Sequence, residues 1–369
     1  MKQDRVPLRT FVSEYSVRNK DSADIPVYSV TNSQGFCKDY FGKEVASKDK
    51  KTYKIVPYGY FAYNPSRINV GSVDWQRVEE RVIVSPLYNV FSVSEKIDRQ
   101  YLYYFLKSDI GRQMIKAKAS GSVRDNLKLD VLKELTVPNI SKEKQKCCAY
   151  TLDMVKHLIE LRKKQLDEFD ELIKARFVEM FGDGYKNKVV WELATIGDIA
   201  CFIKSGLSRK LDDTDIGLPV IRSTNMINGS LDITQVKYWY KNDPQGANTS
   251  DYFLDDGDVL VNFINSAAHI GKVCIYRDIG RDSIYTTNIL RVKLNEKCNP
   301  VFFNIWAMMD FYKNQIENII QPAVNQSSFT TANFKKINIP LPPIELQNQF
   351  ADFVKQVDKS KVVGLKIVS

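Results

Sequence analysis

The sequence predicts a mixed α/β fold in which two repeated globular domains are joined by long α-helices. The first observation is a duplication, because residues 127–152 repeat as residues 329–354 without a change of register. The second is a stretch without Pro or Gly from Ser141 to Phe181, which at about 1.5 Å per residue makes a helix of about 60 Å. The third is a set of short apolar segments before each copy, typical of strands.

The duplicated segment has the same plan in both copies, L-K-L-D-V-L-K-E-L-T-V-P-N-I-S-K-E-K-Q and F-T-T-A-N-F-K-K-I-N-I-P-L-P-P-I-E-L-Q. The clearest matches are Leu132 with Phe334, Pro138 with Pro340, Glu143 with Glu345, Gln145 with Gln347, and Ala149 with Ala351. Between these matched positions the two halves differ widely in amino-acid sequence, as would two domains that recognise different targets. The alternative is an old duplication without functional meaning. A repeat of this size decides the assignment of the whole fold.

The first domain is predicted to cover residues 1–140. Its apolar segments are short and rich in β-branched and aromatic residues, which predicts strands at Pro26–Val30, Tyr58–Tyr63, Val82–Val84 and Leu87–Val93. Helical spacing of apolar residues predicts a helix at Ile97–Ala119, and a polar loop follows at Ser120–Asn126.

The long helix is predicted at residues 141–181, with Ser141 as N-cap and Gly182 as the stop. One apolar row has alternating spacings near 3 and 4 and needs a partner helix: Leu152, Val155, Ile159, Leu166, Phe169, Ile173 and Met180. Leu158, Leu161 and Leu172 form a second row, which indicates two packing partners. The alternative is one amphipathic helix lying on its own domain.

A linker at 182–187 leads to the second domain, predicted at 188–343 with the same element order. Its helix is expected at Pro300–Ile320 and its polar loop at Gln321–Ser328. A shorter helix with a C-terminal tail is expected at 344–363, fraying by Lys361. The apolar side of that helix carries Leu346, Phe350, Phe353, Val354 and Val357.

Composition narrows the class of partner. The net charge of the 369 residues is +9, and residues 1–140 carry 23 Lys and Arg against 16 Asp and Glu. This balance fits a polyanion, because neutralised phosphates release counterions. The six cysteines show no CxxC spacing, so we expect reduced thiols in a cytoplasmic protein without a zinc site. We also expect no signal peptide and no membrane span.

Catalytic motifs are not apparent in the sequence. The two histidines, His157 and His269, cannot complete a catalytic triad or a metal site at useful spacing. Asp282 with Arg291-Val292-Lys293 is similar to the D…E-x-K residues that hold a metal ion in nucleases. Here Arg291 occupies the position of the acidic residue and would repel a cation. Phe181-Gly182-Asp183-Gly184 ends a helix instead of following a strand, which is typical of a C-cap. We therefore expect a chain that binds and positions, without a metal or catalytic residue of its own.

Two segments carry a family resemblance: I-P-L-P-P-I-E-L-Q-N-Q-F at 339–350 and A-R-F-V-E-M-F-G-D at 175–183. With the two dissimilar domains, they make nearly the whole chain resemble the specificity subunit of type I restriction–modification systems. The resemblance implies that each domain is a target-recognition domain reading one half of an asymmetric, bipartite double-stranded DNA site. It further implies that the long helices pair as an antiparallel coiled coil.

The same resemblance implies a non-catalytic subunit that docks methyltransferase (modification) subunits, probably two, and a restriction/translocase subunit. S-adenosylmethionine, ATP and Mg would then belong to the partner subunits, with no cofactor in this chain. The expected docking residues are Leu152, Val155, Ile159, Leu166, Phe169, Ile173, Met180, Phe350, Phe353 and Val357. The second helix is shorter than in the family. The alternatives are a non-enzymatic helical scaffold without DNA specificity, or a truncated or inactive specificity-subunit variant.

Base-reading candidates follow from side-chain chemistry, because Arg and Lys reach guanine edges while Asn and Gln pair with adenine. In the first domain they are Asn64, Arg67, Asn69, Arg124, Asn126 and Lys128. In the second they are Lys204, Ser205, Arg222, Asn225, Asn262, Asn265, His269, Asn325 and Gln326. The alternative for each Asn is a turn residue that bonds its own backbone.

Overall fold

The computed structural model describes residues 4–38, 50–119, 126–182, 191–322 and 326–366, with side chains described as far as Lys361. The chain divides into two compact units, Met1–Leu161 and Arg162–Ser369. Two base-reading candidates, Arg124 and Asn325, lie outside the described residues, as does most of the predicted linker.

The first unit is built on antiparallel strands. They are β1 (Arg5–Pro7), β2 (Val12–Glu14), β3 (Ser29–Thr31), β4 (Gly35–Cys37), β5 (Lys54–Pro57), β6 (Phe61–Tyr63), β7 (Val73–Trp75), β8 (Arg81–Val84), β9 (Asn89–Val93) and β10 (Thr136–Pro138). The helices are α1 (Arg99–Lys107), α2 (Asp109–Ala119), α3 (Leu129–Lys133) and the first half of α4 (Lys142–Phe181). A sheet of order β2-β9-β6-β7 stacks Phe61 on Phe91 at 5.0 Å, and the core beside these rings includes Leu102 and Leu106 of α1.

The second unit holds the second half of α4 and the remaining elements. Its strands are β11 (Leu193–Thr195), β12 (Ala200–Ser205), β13 (Leu218–Ile221), β14 (Met226–Ile227), β15 (Ser230–Leu231), β16 (Lys237–Trp239), β17 (Val259–Asn262), β18 (Ile264–Asn265), β19 (Val273–Ile275), β20 (Ile284–Tyr285), β21 (Ile289–Leu294), β22 (Ser327–Ser328) and β23 (Asn338–Pro340). Its helices are α5 (Ile196–Ile199), α6 (Pro300–Trp306), α7 (Asp310–Ile319), α8 (Thr331–Phe334) and α9 (Ile344–Lys366).

The repeat predicted from sequence is present in the strand pairing. The sheet β12-β21-β17-β19 of the second unit has the same antiparallel order as β2-β9-β6-β7 of the first. In both units the strand that leads into a long helix pairs with a strand near the unit's beginning, so Arg5 lies opposite Pro138 and Leu193 opposite Pro340. The prediction of a mixed α/β fold with two repeated regions is therefore confirmed.

The repeated Gln makes the same buried contacts twice. Gln145 Oε1 accepts from the amide of Asp98 at 2.8 Å, and its Nε2 donates to Ile140 O at 3.0 Å. Gln347 Oε1 accepts from the amide of Asn299 at 2.9 Å, and its Nε2 donates to Pro342 O at 2.7 Å. The amides reached by Oε1 belong to the residues that cap α1 and α6, and each Gln thereby fixes the start of a core helix to the start of a long helix.

The two domain helices were predicted as single elements, and this was wrong. Residues 97–119 form α1 and α2, because Ser108 is extended and its hydroxyl donates to Phe105 O at 2.7 Å. A Cβ on Gly111 would lie 2.1 Å from that same oxygen, which explains the glycine at the start of α2. Residues 300–320 likewise divide into α6 and α7, because Met309 is extended.

Two predicted strands are shorter than expected. The segment Tyr58–Tyr63 is extended into a strand only from Phe61, because Gly59 turns the chain at a φ of +83°. The segment Pro26–Val30 enters β3 only at Ser29, although Val27 forms a parallel bridge to Ile83. The strands predicted at Val82–Val84 and Leu87–Val93 correspond to β8 and β9.

The long helix is continuous over the predicted range. It ends at Gly182, which has a φ of +83° and whose amide donates to Val178 O at 2.8 Å, so the predicted stop is confirmed. At the other end, the Ser141 hydroxyl accepts from the Lys144 amide at 3.4 Å. α9 continues to Lys366, and the fraying predicted at Lys361 is therefore wrong.

Within the second unit, the second half of α4 runs antiparallel to α9. Phe177 and Phe181 lie 5.4 and 5.6 Å from the Phe350 ring near the start of α9, while Lys361 near its end pairs with Asp170 at 2.7 Å. Of the predicted docking residues here, Ile173, Phe350 and Val357 are buried, and Leu166, Phe169, Met180 and Phe353 are partly buried.

The first half of α4 differs from the second. Its predicted docking residues Leu152, Val155 and Ile159 are exposed in the first unit. The predicted apolar row is therefore packed only where α9 runs beside it. No helix in the described part of the chain is long and apolar enough to cross a membrane.

Candidate nucleic-acid interface

Two loops of the first unit are joined by hydrogen bonds, and they carry several of the predicted base-reading residues in exposed positions. The amide of Leu127 donates to Pro65 O at 3.0 Å, and the Ser66 hydroxyl donates to Asn126 Oδ1. We call residues 65–70 and 126–128 the first loop pair. Arg67, Asn126 and Lys128 are exposed on it, and Asn69 is half-buried.

The first loop pair is held from below by the sheet. Tyr63 at the end of β6 is buried and donates its hydroxyl to Leu127 O at 2.9 Å, and burial raises its pKa. Gly71 closes the 65–70 turn at a φ of +94°, where a side chain would be strained. The sheet thus supports a loop pair with exposed cationic side chains, an arrangement suited to binding an anionic surface.

The second unit has the equivalent arrangement after β17. The amide of Phe329 donates to Phe263 O at 3.2 Å, which matches the bond between Leu127 and Pro65. β18 and β22 add a short antiparallel pairing. We call residues 263–272 and 326–328 the second loop pair. It presents the half-buried Asn265 and the exposed His269 and Gln326.

Sequence reasoning missed one residue of this surface, the exposed Lys272. Its Nζ lies 2.8 Å from His269 Nδ1, so the imidazole accepts at Nδ1 and carries its proton on Nε2. Each of these side chains then presents a donor to a partner. The signal was the position of Lys272 directly after Gly271, a glycine with a φ of +80°.

Two predicted base readers are structural residues, and their assignment was wrong. Asn225 is 3% exposed, accepts from the Arg222 amide at 3.0 Å and donates to Asp232 O at 2.9 Å. Asn262 is 1% exposed and donates to His269 O at 3.1 Å. A buried amide that closes a turn cannot reach a base edge, because the surrounding chain covers it.

Two more asparagines use their carbonyl oxygens within their own turns. Asn64 accepts from the Ser66 amide at 3.1 Å, and Asn265 accepts from the Ser266 amide at 2.8 Å. Bidentate pairing with adenine needs both the amide donor and the carbonyl acceptor, and in both residues the carbonyl oxygen already accepts a bond within its own turn. The turn-residue alternative therefore describes both positions.

The remaining candidates lie along β12 and after β13. Lys204 stacks over the Tyr252 ring with its Nζ 4.0 Å from the centroid, and Arg222 donates to Gln235 O at 2.9 Å. Ser205 is half-buried at the end of β12. Among the described residues, no hydrogen bond joins these side chains to the second loop pair.

The residues similar to a nuclease set form an ion-pair network. Arg291 donates to Asp258 at 2.6 Å and to Asp255 at 2.9 Å, and Lys293 donates to Asp255 at 2.6 Å. Hydrogen bonding to Lys293 lowers the pKa of Asp255, whereas burial raises the pKa of Asp258 against the pull of Arg291. Asp282 pairs instead with Lys241 at 3.8 Å. Within the described ranges, no three His, Cys, Asp or Glu side chains are grouped to hold a metal ion.

A cavity of about 1140 Å³ lies in the second unit, between α4, α6, α7 and β19. Ile173, one of the predicted docking residues, lines it. The cavity borders the second loop pair, because Ala267, Ala268, Ile270, Gly271 and Lys272 line it, whereas none of the predicted base-reading side chains does.

Comparison with known proteins gives a consistent result. The family model "Type I restriction modification DNA specificity domain" matches residues 9–170 and 188–363. A putative type I restriction enzyme MjaX specificity subunit of Methanocaldococcus jannaschii is 34% identical over 169 residues, which are 46% of this chain and 39% of that protein. The EcoKI specificity subunit of Escherichia coli K12 is 19% identical over 273 residues, 70% of this chain and 58% of that one. The matched regions therefore span about two fifths to three fifths of these relatives.

Two solved structures share the fold. A chain from a structure of type I R-M system assembly and conformational transition aligns with a TM-score of 0.57 at 15% identity, covering 100% of this chain and 94% of that chain. The type I restriction-modification S subunit from M. genitalium aligns with a TM-score of 0.53 at 14% identity, covering 100% and 92%.

Proposed function

This chain belongs to the family of type I restriction–modification DNA specificity proteins, as the resemblance in its sequence implied, and we propose that it reads a bipartite, asymmetric site in double-stranded DNA. The observation that carries the proposal is the pair of equivalent loop pairs. They are built on the same strand order and on the same backbone hydrogen bond, yet they present different side chains. One scaffold with two unlike surfaces suits two unlike half-sites.

In this proposal the first loop pair reads its half-site with Arg67, while Lys128 beside it binds a phosphate. Both side chains are exposed, and guanine offers Arg67 two acceptors, O6 and N7, on its major-groove edge. In the second loop pair, the exposed Gln326 has the donor and acceptor that adenine requires, while His269 and Lys272 supply donors. Each well-formed bidentate contact contributes about 1–3 kcal/mol of discrimination.

The recognition domains of the proposal are residues 1–140 and 188–343, with spacer helices at 141–181 and 344–363 and a linker at 182–187. The spacers pair as an antiparallel coiled coil, an arrangement supported by the contacts of Phe350 and Lys361 with α4. They dock two methyltransferase subunits, and a restriction/translocase subunit joins the assembly. This chain supplies specificity, while S-adenosylmethionine, ATP and Mg act in the partner subunits in the cytoplasm.

The test uses the chain assembled with a methyltransferase subunit of the same type I system. Methylated sites are mapped by sequencing genomic DNA that the complex has modified. We expect one asymmetric motif in two parts separated by a fixed gap. Modification without any preferred sequence would contradict the proposal and favour a helical scaffold without DNA specificity.

The two loop pairs give a matched comparison in the same assay. Arg67→Ala should change the motif in one half only, and Gln326→Ala in the other half only. If either variant altered both halves, the assignment of one loop pair to each half-site would be wrong.

A further inference from the structure

A hairpin turn lies directly beside the first loop pair. β3 and β4 are joined by three exposed residues, Asn32, Ser33 and Gln34. We call residues 32–34 the first hairpin turn. The buried Ser72 connects this hairpin to the loop pair, because its amide donates to Arg67 O at 3.1 Å and its hydroxyl donates to Val30 O at 2.5 Å.

Lys107 at the end of α1 touches both the turn and the loop pair. Its Nζ donates to Asn32 O at 3.0 Å, and a Cβ on Gly71 would lie 3.5 Å from its Cε. Gly71 is the residue that closes the 65–70 turn. The first hairpin turn is therefore attached beside Arg67 through two side chains, those of Ser72 and Lys107.

The second unit also carries a hairpin turn on its core helix. β14 and β15 are joined by Asn228 and Gly229, whose φ values of +46° and +76° are typical of a type I′ turn. We call residues 228–229 the second hairpin turn. Asn304 of α6 donates its side-chain amide to Gly229 O at 2.9 Å, and a Cβ on Gly229 would lie 1.8 Å from Met308 Cε. The turn thus packs closely on the residues of and after α6.

The helix positions that support the two turns are equivalent in the repeat. Asp98 and Asn299 are equivalent caps, since each donates its amide to the repeated Gln. Nine residues after these caps lie Lys107 and Met308, which contact the first and the second hairpin turn respectively. One position of the core helix therefore supports a hairpin turn in both units, although the two side chains differ in chemistry.

The second hairpin turn and the second loop pair border the same cavity. Asn228 and Gly229 line the cavity of about 1140 Å³ together with Gly271 and Lys272. Each unit therefore has a hairpin turn beside its loop pair, which makes three neighbouring loops.

Each hairpin turn presents a side-chain amide that the fold does not use. Gln34 and Asn228 are exposed, and no hydrogen bond within the described ranges engages the side chain of either residue. The carbonyl oxygens of Asn64, Asn126 and Asn265, by contrast, accept bonds from loop residues. Gln34 and Asn228 therefore keep both the donor and the acceptor that pairing with adenine requires.

The backbone of the turns does not require these two amides. Gly as well as Asn occupies the first position of a type I′ turn, so the φ of Asn228 is satisfied by either residue. Gln34 has no left-handed φ, and only its backbone amide is bonded, to Thr31 Oγ1 at 3.0 Å. Substitutions can therefore remove either side-chain amide without disturbing the turn.

We propose that the hairpin turns are DNA-reading elements in addition to the loop pairs, and that Gln34 and Asn228 each read an adenine. The inference rests on the proposed function and adds a third loop to each recognition domain. Gln34 belongs to the half-site that Arg67 reads, and Asn228 to the half-site that Gln326 reads. In both cases the amide nitrogen donates to adenine N7 and the carbonyl oxygen accepts from N6.

The test compares the parent chain with Gln34→Ala and Asn228→Gly, each assembled with a methyltransferase subunit of the same type I system. Gln356→Ala is the matched control, because it removes an exposed amide from α9, outside both recognition domains. The probe is a library of DNA duplexes randomised at each position of the parent's motif, from which methylated molecules are sequenced. Circular dichroism and thermal unfolding show that the variants fold.

We expect Gln34→Ala to lower the preference for adenine at one position by about fivefold or more, in the half-site that Arg67→Ala alters. Asn228→Gly should do the same in the other half-site, and the control should leave the motif unchanged. An unchanged motif in either hairpin variant overturns the assignment of that turn. A uniform loss of methylation on every sequence also overturns it, because it places the turn on the phosphate backbone.

Gln34→Glu and Asn228→Asp give a second readout that a folding defect cannot imitate. Each keeps the size of the side chain and replaces the amide donor with an acceptor, which suits the N4 donor of cytosine. We expect the preference at the same position to move from adenine to cytosine. A preference that stays with adenine would contradict the proposed contact.

The parent complex separates this inference from the proposed function. If the parent modifies a bipartite motif and the hairpin variants modify the same motif, the inference fails and the proposed function stands. If the parent modifies DNA without a preferred sequence, both fail.

Discussion

Gln145 and Gln347 are equivalent in the repeat and make equivalent hydrogen bonds, accepting from a helix-cap amide at 2.8 and 2.9 Å and donating to a carbonyl five residues earlier at 3.0 and 2.7 Å. Both side chains are buried. The repeated P-x-x-x-x-E-x-Q pattern is thus explained by the need to satisfy the backbone where a strand turns into a long helix. The equivalence also makes the two positions matched sites for substitution.

Gln347→Leu should lower the free energy of unfolding by about 1–3 kcal/mol, because the Asn299 amide and the Lys297 and Pro342 carbonyls would lose their partner in a buried place. Urea denaturation measures the change. Gln145→Leu should behave alike in the first unit. The exposed Gln113→Leu is the control, with a change within about 0.5 kcal/mol. Equal effects of all three variants would show that the buried bonds contribute nothing specific.

Lys128→Ala should weaken DNA binding by a similar factor on every sequence and reduce the slope of log K against log salt by about 1, because a phosphate contact is lost. Arg67→Ala should instead cost about 1–3 kcal/mol on the preferred site and relax one half of the motif. Binding of the assembled complex to preferred and scrambled duplexes at several salt concentrations distinguishes the two. A uniform loss for Arg67→Ala would place Arg67 on the phosphate backbone.

Asn225→Ala should reduce stability without changing the DNA motif. The substitution removes the bonds to the Arg222 amide and Asp232 carbonyl at a site that is 3% exposed, at a cost of about 1–3 kcal/mol. Thermal unfolding and methylation mapping are measured on the same preparation. An altered motif at unchanged stability would restore Asn225 as a base reader.

Acid should destabilise the second unit through Asp243. This carboxylate accepts from Arg209 Nε and Nη2 and from the amides of Gln245 and Ala247, and these bonds lower its pKa to about 2. The folded pKa lies below the unfolded value of about 3.9, so the stabilisation is complete above pH 4 and is lost as the pH falls towards 2.

Asp243→Asn should therefore be less stable than the parent at pH 6 and show a smaller loss between pH 4 and pH 2. Urea denaturation at stepped pH measures both, with the exposed Asp21→Asn as control. If Asp243→Asn kept the parent's full acid dependence, the stabilisation would reside in other carboxylates.

The overall plan of the fold was predictable from the sequence, because it depends on patterns that extend over many residues. A duplicated segment and an uninterrupted helical stretch predict the two repeated regions and α4. The local breaks were not predictable from apolar spacing, which continues through Ser108 and Met309. Both breaks depend on backbone geometry, in the first case on the close approach of Gly111 to Phe105 O.

The loops that form the candidate interface were predictable from the sequence, whereas the individual base-reading residues were predictable only in part. Arg67, Asn126 and Lys128 were expected and lie together, whereas Asn225 and Asn262 proved to be buried. An asparagine that closes a turn and one that reads a base have the same chemistry, and only burial separates them. Lys272 was missed because its position directly after Gly271 was not used, and because its hydrogen bond to His269 Nδ1 depends on the folded loop.

The pairing of β1 with β10, and of β11 with β23, has a consequence for how such a chain can diversify. The polypeptide enters and leaves each repeated region through one pair of antiparallel strands, with Arg5 opposite Pro138 and Leu193 opposite Pro340. A foreign segment inserted between Pro7 and Thr136 would leave that strand pair, and the helix after it, in place. Under the proposed function, recombination at these strands exchanges one DNA specificity and leaves the long helices unaltered.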